Sequence, residues 1–412
     1  MTKRPQENKI HPFIIIGGGA SGLAAACIAA ENNTPALLID KNNKLGKKLL
    51  ATGNGRCNIL NSGDPLYFGD ADFANKALKH CSLQRLVSFF ESLGLVLRQE
   101  DGGRIYPAAN RSDAVLKCIE NKIKNSSVAI HLEETLIKIN PKDGLWEVKT
   151  DRSAYLCKCL LMALGSCASP KLGGNEKAAD ALLPLGFKMQ PWRPALCPVN
   201  CSLGKFKRLK GLRVLARCTL AEIAKTGKIL RASSLGEVLF TDYGLSGVCI
   251  MQLSCFIEPN KTYEIYLDLS PSLKKHPPEM KLIAPQDIDK NTCSMERFLK
   301  KRAEFLHADE ILLGALPNNL AKLLTAQSIK QTAKNLTQLR FPVNGARGFE
   351  FAQAAIGGID TKDVDPATMQ SFYDNLYLAG EMLNVCGDCG GFNLMFAFAS
   401  GILAAEDAAK KL

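Results

Sequence analysis

Histidine is scarce in this chain of 412 residues, which contains only five. Neither the histidines nor the cysteines form a cluster with the spacing of a structural zinc site, so the sequence predicts no metal centre. Long apolar segments are also missing, because residues 392–405 are too short to cross a bilayer core of about 30 Å as a helix. We therefore expect no transmembrane segment and no membrane partner.

A targeting signal is likewise not expected. Residues 1–9 are basic and residues 12–30 carry no charge, which imitates a signal peptide. Three consecutive glycines at positions 17–19, however, interrupt the segment that would have to form the apolar helix. The chain contains fifteen cysteines outside any secretory context, which favours a reducing compartment and a cytoplasmic location.

The net charge and the length limit the classes of binding partner and the number of domains. The net charge is +12 and the pI is about 9.0, yet the basic residues are dispersed and do not alternate with aromatic residues. This pattern is typical of a basic enzyme, so we expect a small-molecule substrate and no nucleic acid. The length predicts two or three domains. No pattern in the sequence indicates an oligomeric state.

The segment from residue 13 to residue 40 has the order strand, glycine-rich turn, helix, strand and acid that dinucleotide-binding folds share. The turn places Gly17 where the chain leaves the strand, Gly19 where the backbone approaches a pyrophosphate, and Gly22 where the helix packs against the sheet. The helix N-terminus supplies free N–H groups for the phosphates. The final acid is Asp40, which we predict to hydrogen-bond the ribose hydroxyls.

The remaining strand-like and helical segments fall into two groups. The N-terminal part alternates helices and strands, whereas the pattern changes near residue 191 to many short strand-like runs followed by helical segments. From residue 341, glycine-rich segments and a final strand return. We therefore predict one nucleotide-binding domain formed by residues 1–190 and 341–412, with an inserted domain at residues 191–340.

The C-terminal segment indicates a flavin rather than a nicotinamide cofactor alone. A predicted strand ends in Ala379-Gly380-Glu381, and two glycines precede an apolar helix that begins near residues 391–394. In flavoproteins of the glutathione-reductase type, such an acid binds the ribityl chain, and the helix directs its positive N-terminus toward the pyrimidine edge. We therefore predict FAD as the cofactor, in contact with Glu381 and the helix start. A second GxGxxG motif for a separate nicotinamide domain is absent from the sequence.

Together these motifs resemble those of the BaiN/RdsA-type flavoproteins, which are NAD(P)/FAD-dependent oxidoreductases also described as the aminoacetone oxidase family. The resemblance covers nearly the whole chain in the order of that family. It implies an α/β fold, in which a Rossmann-like FAD-binding domain of the glutathione-reductase type is split by an inserted β-barrel and helical domain. The matching segments are IIIGGGASGLAAA (14–26), GKKLLATGNGRCNILN (46–61), GGRIYPAANRSDAV (102–115), GEVLFTDYGLSG (236–247), AAIGGID (354–360), TMQS (368–371) and NLYLAGEMLNVCGDCGGFNLMFAFASG (375–401).

The resemblance also assigns residues to parts of the cofactor. Asp40 and Lys41 are expected at the adenosine ribose, the backbone of Leu136 at the adenine, and Lys48, Asn54, Gly55 and Arg56 along the ribityl chain and the flavin. The turn residues are expected at the pyrophosphate. The full set of expected cofactor-binding residues is Gly17, Gly19, Ala20, Ser21, Gly22, Asp40, Lys41, Lys48, Asn54, Gly55, Arg56, Leu136, Gly165, Glu381, Gly391, Phe392, Asn393 and Leu394.

The chain departs from the family pattern at two places. The family usually has a Gly-Gly-x-Ser-x-Pro stretch followed by a Gly-His pair, whereas this chain has LGSCASP at residues 164–170 and then Gly186-Phe187. A role for that family histidine is therefore not expected here. The second departure is at Cys386 and Cys389, where the family usually has acidic or hydroxyl residues.

The sequence leaves two functions open. The first is hydride transfer between a small organic substrate and flavin N5, either as enone reduction with NADH or NADPH or as amine oxidation with O2. For this chemistry, Arg56 and Asn58 are candidates to polarise flavin or substrate oxygens, and Tyr106 is a candidate proton donor. The alternative is a non-catalytic flavin-bound redox sensor or interaction protein, in which Cys386 and Cys389 exchange between dithiol and disulfide.

Overall fold

The computed structural model of the protein describes residues 9–274, 282–283 and 292–412. Within them the chain forms two compact units. The first unit contains the residues up to 193 together with residues 354–412, and the second contains residues 194–353.

The elements of the chain alternate between helix and strand in its N-terminal and C-terminal parts. The N-terminal part contains β1 (Ile10–Ile16), α1 (Ala20–Glu31), β2 (Ala36–Asp40), α2 (Lys47–Ala51), β3 (Leu60–Asn61), β4 (Tyr67–Gly69), α3 (Ala71–His80), α4 (Leu83–Ser92), β5 (Leu97–Gln99), β6 (Arg104–Pro107), α5 (Ser112–Lys124), β7 (Val128–Leu132), β8 (Leu136–Lys142), β9 (Leu145–Thr150), β10 (Ala154–Met162) and β11 (Met189–Ala195). The middle part contains β12 (Val199–Cys201), β13 (Arg213–Ala224), β14 (Gly227–Phe240), β15 (Gly244–Ser246), α6 (Val248–Ser254), β16 (Tyr263–Asp268), β17 (Leu282–Ile283), α7 (Thr292–Arg302), α8 (Asn318–Leu324), α9 (Ile329–Thr337) and β18 (Leu339–Ala346). The C-terminal part contains β19 (Ala354–Ile359), β20 (Leu376–Leu378), β21 (Val385–Gly387) and α10 (Phe392–Lys411).

The core of the first unit is a parallel sheet in the order β7, β2, β1, β10 and β20. Residues 13–16 of β1 and 36–39 of β2 are apolar and buried, as expected for strands that are covered on both faces of the sheet. The antiparallel strands β8 and β9 extend from the first half of β10. This architecture confirms the predicted α/β, Rossmann-type fold.

Two glycines allow the helices of the first unit to pack at backbone distance. A Cβ on Gly401 of α10 would lie 2.1 Å from the carbonyl oxygen of Ser21 in α1. A Cβ on Gly22 of α1 would lie 1.8 Å from the carbonyl oxygen of Gly17. Since real Cβ atoms do not approach backbone oxygens so closely, the position of α1 depends on glycine at both sites.

The second unit is a closed barrel with helices packed on it. The strands β13, β16, β18, β12, β15 and β14 follow one another in the sheet, and β14 pairs back with β13 to complete the ring. Leu299 of α7, Leu320 of α8 and Leu336 of α9 share one buried cluster with Ile265 of the barrel. The predicted β-barrel and helical domain is therefore confirmed.

The boundary between the two units corrects one detail of the prediction. The expected return to the first domain at residue 341 falls inside β18, which pairs with β12 and β16 of the barrel. The first unit therefore resumes at residue 354, after that strand has ended.

Within the part of the chain that the structure describes, no helix combines the length and the apolar character that spanning a membrane requires.

The close contact between α1 and α10 predicts that Gly401→Ala destabilises the protein. Alanine normally favours a helix over glycine, but here its methyl group would overpack against the Ser21 backbone, so we expect a net loss of about 1–3 kcal/mol. The measurement is the midpoint of thermal or urea unfolding. The matched control is Gly348→Ala, where a Cβ would meet no atom within 4 Å and the midpoint should stay close to that of the wild type. An unchanged or raised midpoint for Gly401→Ala would contradict the packing argument.

Candidate functional site

The turn between β1 and α1 contains two kinds of glycine. Gly17 and Gly22 are required by the fold, whereas Gly19 faces open space. Gly17 has a φ of +111°, and a Cβ there would lie 2.2 Å from the carbonyl oxygen of Ala163. Gly22 has no room for a Cβ either. By contrast, a Cβ on Gly19 would meet no atom within 4 Å. The space beside Gly19, at the N-terminus of α1, is therefore open to a ligand, and an anion there would be favoured by the helix dipole.

Asp40 lies beside this turn, as its place at the end of β2 predicts. The side chain is buried, and its two carboxylate oxygens accept hydrogen bonds from the amides of Gly18 at 2.5 Å and of Asn42 at 2.6 Å. Backbone donors compensate the cost of burying the carboxylate. Gly18 and Asn42 were not identified from the sequence, because a backbone N–H leaves no side-chain signature.

The predicted residues Lys41 and Lys48 lie within range of each other's charge. Partial burial lowers the pKa of the Lys41 ammonium, and the neighbouring charge of Lys48 lowers it further, while Asp40 acts in the opposite direction. The expected positions of Lys41 at the adenosine ribose and of Lys48 along the ribityl chain stay predictions.

An ion pair joins the two ends of the chain within the first unit. The Nζ atom of Lys48 lies 2.6 Å from Oε2 of Glu381, although the two residues are 333 positions apart. The second oxygen of Glu381 accepts a hydrogen bond from the amide of Ala355 at 3.3 Å. Gly165 lies at the same place, since a Cβ on it would be 3.7 Å from the Lys48 Nζ. The structure thus brings together three expected cofactor-binding residues from distant segments.

Beside the start of α10 lies a side-chain oxygen that accepts no hydrogen bond from the described residues. Gly391 precedes the helix with a φ of +108°, and a Cβ on it would lie 3.0 Å from Oδ1 of Asn58. This Oδ1 atom is buried, and none of the described residues donates a hydrogen bond to it. Since buried acceptors are normally satisfied, Asn58 is suited to accept a hydrogen bond from an N–H group of a ligand.

The next residues of α10 have mainly structural contacts. The carbonyl oxygen of Phe392 accepts a hydrogen bond from the Tyr67 hydroxyl at 3.0 Å. The side chain of Asn393 accepts from the amide of Gly387 at 2.8 Å and donates to its carbonyl oxygen at 2.6 Å. Leu394 packs against the core of the first unit. At this position the chain therefore offers a ligand its backbone rather than the Asn393 side chain.

Arg56 and Tyr106 form a separate cluster. The guanidinium of Arg56 donates to both carboxylate oxygens of Glu100, at 2.7 and 2.9 Å, and to Oδ1 of Asn110 at 2.5 Å. Its central carbon lies 4.1 Å from the ring centroid of Tyr106. The hydrogen bond from Arg56 lowers the pKa of the Glu100 carboxyl. Arg56 is thus held by protein groups, while Tyr106 is largely buried beneath it.

The remaining predicted residues lie at the ends of helices and strands. Ala20 and Ser21 form the first turn of α1. Asn54 and Gly55 follow α2 in a left-handed turn, with φ values of +54° and +85°. Leu136 begins β8 and pairs with Thr150 of β9. For all of the predicted residues, direct contact with a cofactor stays a prediction.

A buried acid near Asp40 was missed by the sequence analysis. The amide of Glu134 donates to the carbonyl oxygen of Asp40 at 3.1 Å. The Glu134 carboxylate accepts hydrogen bonds from the hydroxyls of Thr150 at 2.6 Å and Tyr155 at 2.8 Å. It also lies 3.1 Å from Nδ1 of His131. Burial, assisted by Glu134, raises the pKa of Tyr155 to about 12. These residues are dispersed in the sequence and only the fold brings them together.

The two cysteines of the predicted dithiol occupy different environments. Cys386 is fully buried in β21, whereas Cys389 is partly exposed in the turn before α10. A thiol excluded from solvent is poorly placed for exchange with a soluble thiol or disulfide. Redox activity of this pair stays a prediction.

The first unit as a whole fits FAD. The open backbone at Gly19 suits a pyrophosphate, Asp40 suits a ribose, and the Lys48–Glu381 pair lies where a polyhydroxyl chain could contact both charges. The unpaired oxygen of Asn58 is complementary to an N–H donor such as that of the flavin pyrimidine.

Comparisons with known proteins agree with this geometry. Residues 11–407 match the family model described as the HI0933-like protein Rossmann domain. The chain is 30% identical to the 3-dehydro-bile acid delta(4,6)-reductase of Clostridium scindens, over 96% of this chain and 98% of that protein. It is 26% identical to the ribosomal RNA dihydrouridine synthase of Escherichia coli, over 96% and 97% of the two chains. Among solved structures, it is similar to E. coli quinol fumarate reductase FrdA, with a TM-score of 0.49 and 15% identity over 98% of this chain and 71% of that one.

Proposed function

Because the chain belongs to the HI0933-like protein family and is an FAD-dependent oxidoreductase, we propose that it reduces a carbon–carbon double bond conjugated with a carbonyl group in a small organic molecule. When bound, FAD would supply hydride from N5 to the substrate, and NADH or NADPH would be the source of electrons. The observation that carries the proposal is the cradle formed by Gly19, Asp40, Lys48 and Glu381 in one unit.

The names of the relatives favour reduction over amine oxidation. One is named as a delta(4,6)-reductase of a 3-dehydro-bile acid and the other as a dihydrouridine synthase. Dihydrouridine differs from uridine by saturation of a ring double bond conjugated with a carbonyl group. Both names therefore describe hydrogen addition to a conjugated double bond, and we propose the same reaction class here.

Different residues of the chain would bind different parts of FAD. The N-terminus of α1 beside Gly19 would hold the pyrophosphate, and Asp40 the adenosine ribose. Lys48 and Glu381 would bind the ribityl chain, while Asn58 would accept a hydrogen bond from the pyrimidine edge. These contacts orient the flavin before the substrate arrives, which removes part of the entropic barrier.

Tyr106 is the proposed donor of the proton that completes saturation of the double bond. Its ring is covered by the Arg56 guanidinium, which Glu100 and Asn110 hold in place. A phenol fixed in this way can be aligned with one face of a substrate. We assign Arg56 the role of positioning Tyr106 rather than that of polarising the substrate.

A uracil base in RNA is a second candidate substrate. The relative named as a ribosomal RNA dihydrouridine synthase and the net charge of +12 favour it. A positive balance promotes association with phosphate backbones through counterion release. Small-molecule enones and RNA therefore form the two arms of the activity test.

The open space at Gly19 predicts that Gly19→Val weakens FAD binding without destabilising the fold. No atom of the protein lies within 4 Å of a Cβ at this position, but the added side chain would occupy the path of the pyrophosphate. We expect at least a tenfold higher Kd for FAD, corresponding to about 1.4 kcal/mol, measured by flavin fluorescence on protein stripped of cofactor. The unfolding midpoint of the stripped variant should equal that of the stripped wild type.

The control for this prediction is Gly348→Val, which adds the same side chain at an open glycine of the barrel unit. It should leave FAD binding unchanged. Wild-type affinity for FAD in Gly19→Val would place the pyrophosphate elsewhere and contradict the proposed cradle.

The proposed reaction is tested by anaerobic spectroscopy of the FAD-loaded protein. We expect NADH or NADPH to bleach the flavin absorbance, and an added enone or an RNA containing uridine to restore it in the absence of air. In Tyr106→Phe, bleaching should proceed normally while reoxidation by the substrate slows by about 10²-fold or more. Bleaching by small amines without NAD(P)H, followed by rapid reoxidation in air, would identify an oxidase instead. Unchanged behaviour of the double variant Cys386→Ser/Cys389→Ser in this assay would eliminate the dithiol alternative.

A further inference from the structure

The barrel unit contains an arginine that two aromatic rings hold in place. Arg347 follows β18, and its amide donates to the carbonyl oxygen of Pro198 at 2.8 Å. Its guanidinium carbon lies 3.6 Å from the ring centroid of Tyr243 and 3.7 Å from that of Phe351. Cation–π contacts at these distances fix the orientation of a side chain that would otherwise sample many rotamers.

One N–H group of this guanidinium lacks an acceptor. The Nη1 atom of Arg347 is buried, and none of the described residues accepts a hydrogen bond from it. Asp242, the acid beside Tyr243, forms an ion pair with Lys210 at 2.8 Å and also lies within range of the Arg347 charge, but it accepts no hydrogen bond from Nη1. The hydrogen bond from Lys210 is also the main cause of the lowered pKa of Asp242. A fixed, charged donor without an acceptor is costly unless an oxygen atom from another molecule binds to it.

We propose that Arg347 binds the carboxylate of a small organic acid. Cation–π contacts use the flat faces of a guanidinium and leave its N–H edge for hydrogen bonds, and a planar carboxylate matches that edge with two parallel hydrogen bonds. No atom lies within 4 Å of a Cβ built on Gly345 or Gly348, the two glycines nearest Arg347 in the sequence. Phe351 is 46% exposed and offers an apolar surface for the hydrocarbon part of the acid.

This site belongs entirely to the second unit and does not depend on the proposed reaction. The sequence analysis did not identify it, because a single arginine in a loop carries no motif. The pairing of Arg347 with Tyr243, more than a hundred positions earlier, results from the closure of the barrel.

The test is a fluorine NMR titration of the full-length, FAD-loaded protein with 4-fluorobenzoate. We expect saturable binding, and at least tenfold weaker binding of 4-fluorobenzamide, which has the same shape without the charge. In Arg347→Gln, the affinity for 4-fluorobenzoate should fall by at least tenfold. The matched control is Arg213→Gln, which removes an exposed arginine of the same unit that is paired with Glu237 and should leave the affinity unchanged.

Three results would overturn the proposal. They are equal affinity in Arg347→Gln and wild type, equal affinity of wild type for the two probes, and no saturable binding of 4-fluorobenzoate at about 10 mM. Folding of each variant is checked by its unfolding midpoint. If Arg347→Gln does not fold, Tyr243→Leu takes its place, since loss of one ring should release the guanidinium and weaken 4-fluorobenzoate binding by several-fold.

Discussion

The proposed nucleotide site depends on how closely the backbone of α1 approaches its neighbours. Gly22 places the helix against the turn that leaves β1, and Gly401 places α10 against the carbonyl oxygen of Ser21. With α1 fixed on both sides, its N-terminus points to a defined place beside Gly19. A binding site for phosphates built from backbone N–H groups requires this precision, because backbone donors cannot adjust as side chains can.

The Lys48–Glu381 pair connects this N-terminal turn with the C-terminal part of the same unit. Both side chains are partly exposed, so the ion pair contributes little to the free energy of unfolding. Its main effect is to fix the positions of the two side chains relative to each other. Glu381 also accepts a hydrogen bond from Ala355 of β19, which begins directly after the barrel. The chain can therefore insert a whole barrel between residues 194 and 353 and still bring Lys48 and Glu381 together.

The sequence predicted the parts of the fold that follow from local pattern. The glycine turn, Asp40 and Glu381 were recognised because each stands at a fixed offset from an apolar strand, and the inserted barrel followed from resemblance to a family. Contacts that arise only from tertiary folding were missed, among them the burial of Glu134 by Thr150 and Tyr155 and the two rings around Arg347. The end of the insertion was expected at residue 341, where glycine-rich sequence returns, but Gly345 still belongs to β18, which pairs with the barrel.

The central claim is that this unit holds one FAD, and the most direct test is the amount of FAD that the purified chain retains or takes up. Release by heat denaturation, followed by quantification of the flavin and protein, gives the stoichiometry. The account predicts close to one FAD per chain after incubation with excess cofactor and removal of unbound flavin. A correctly folded protein that retains no FAD under these conditions would contradict it.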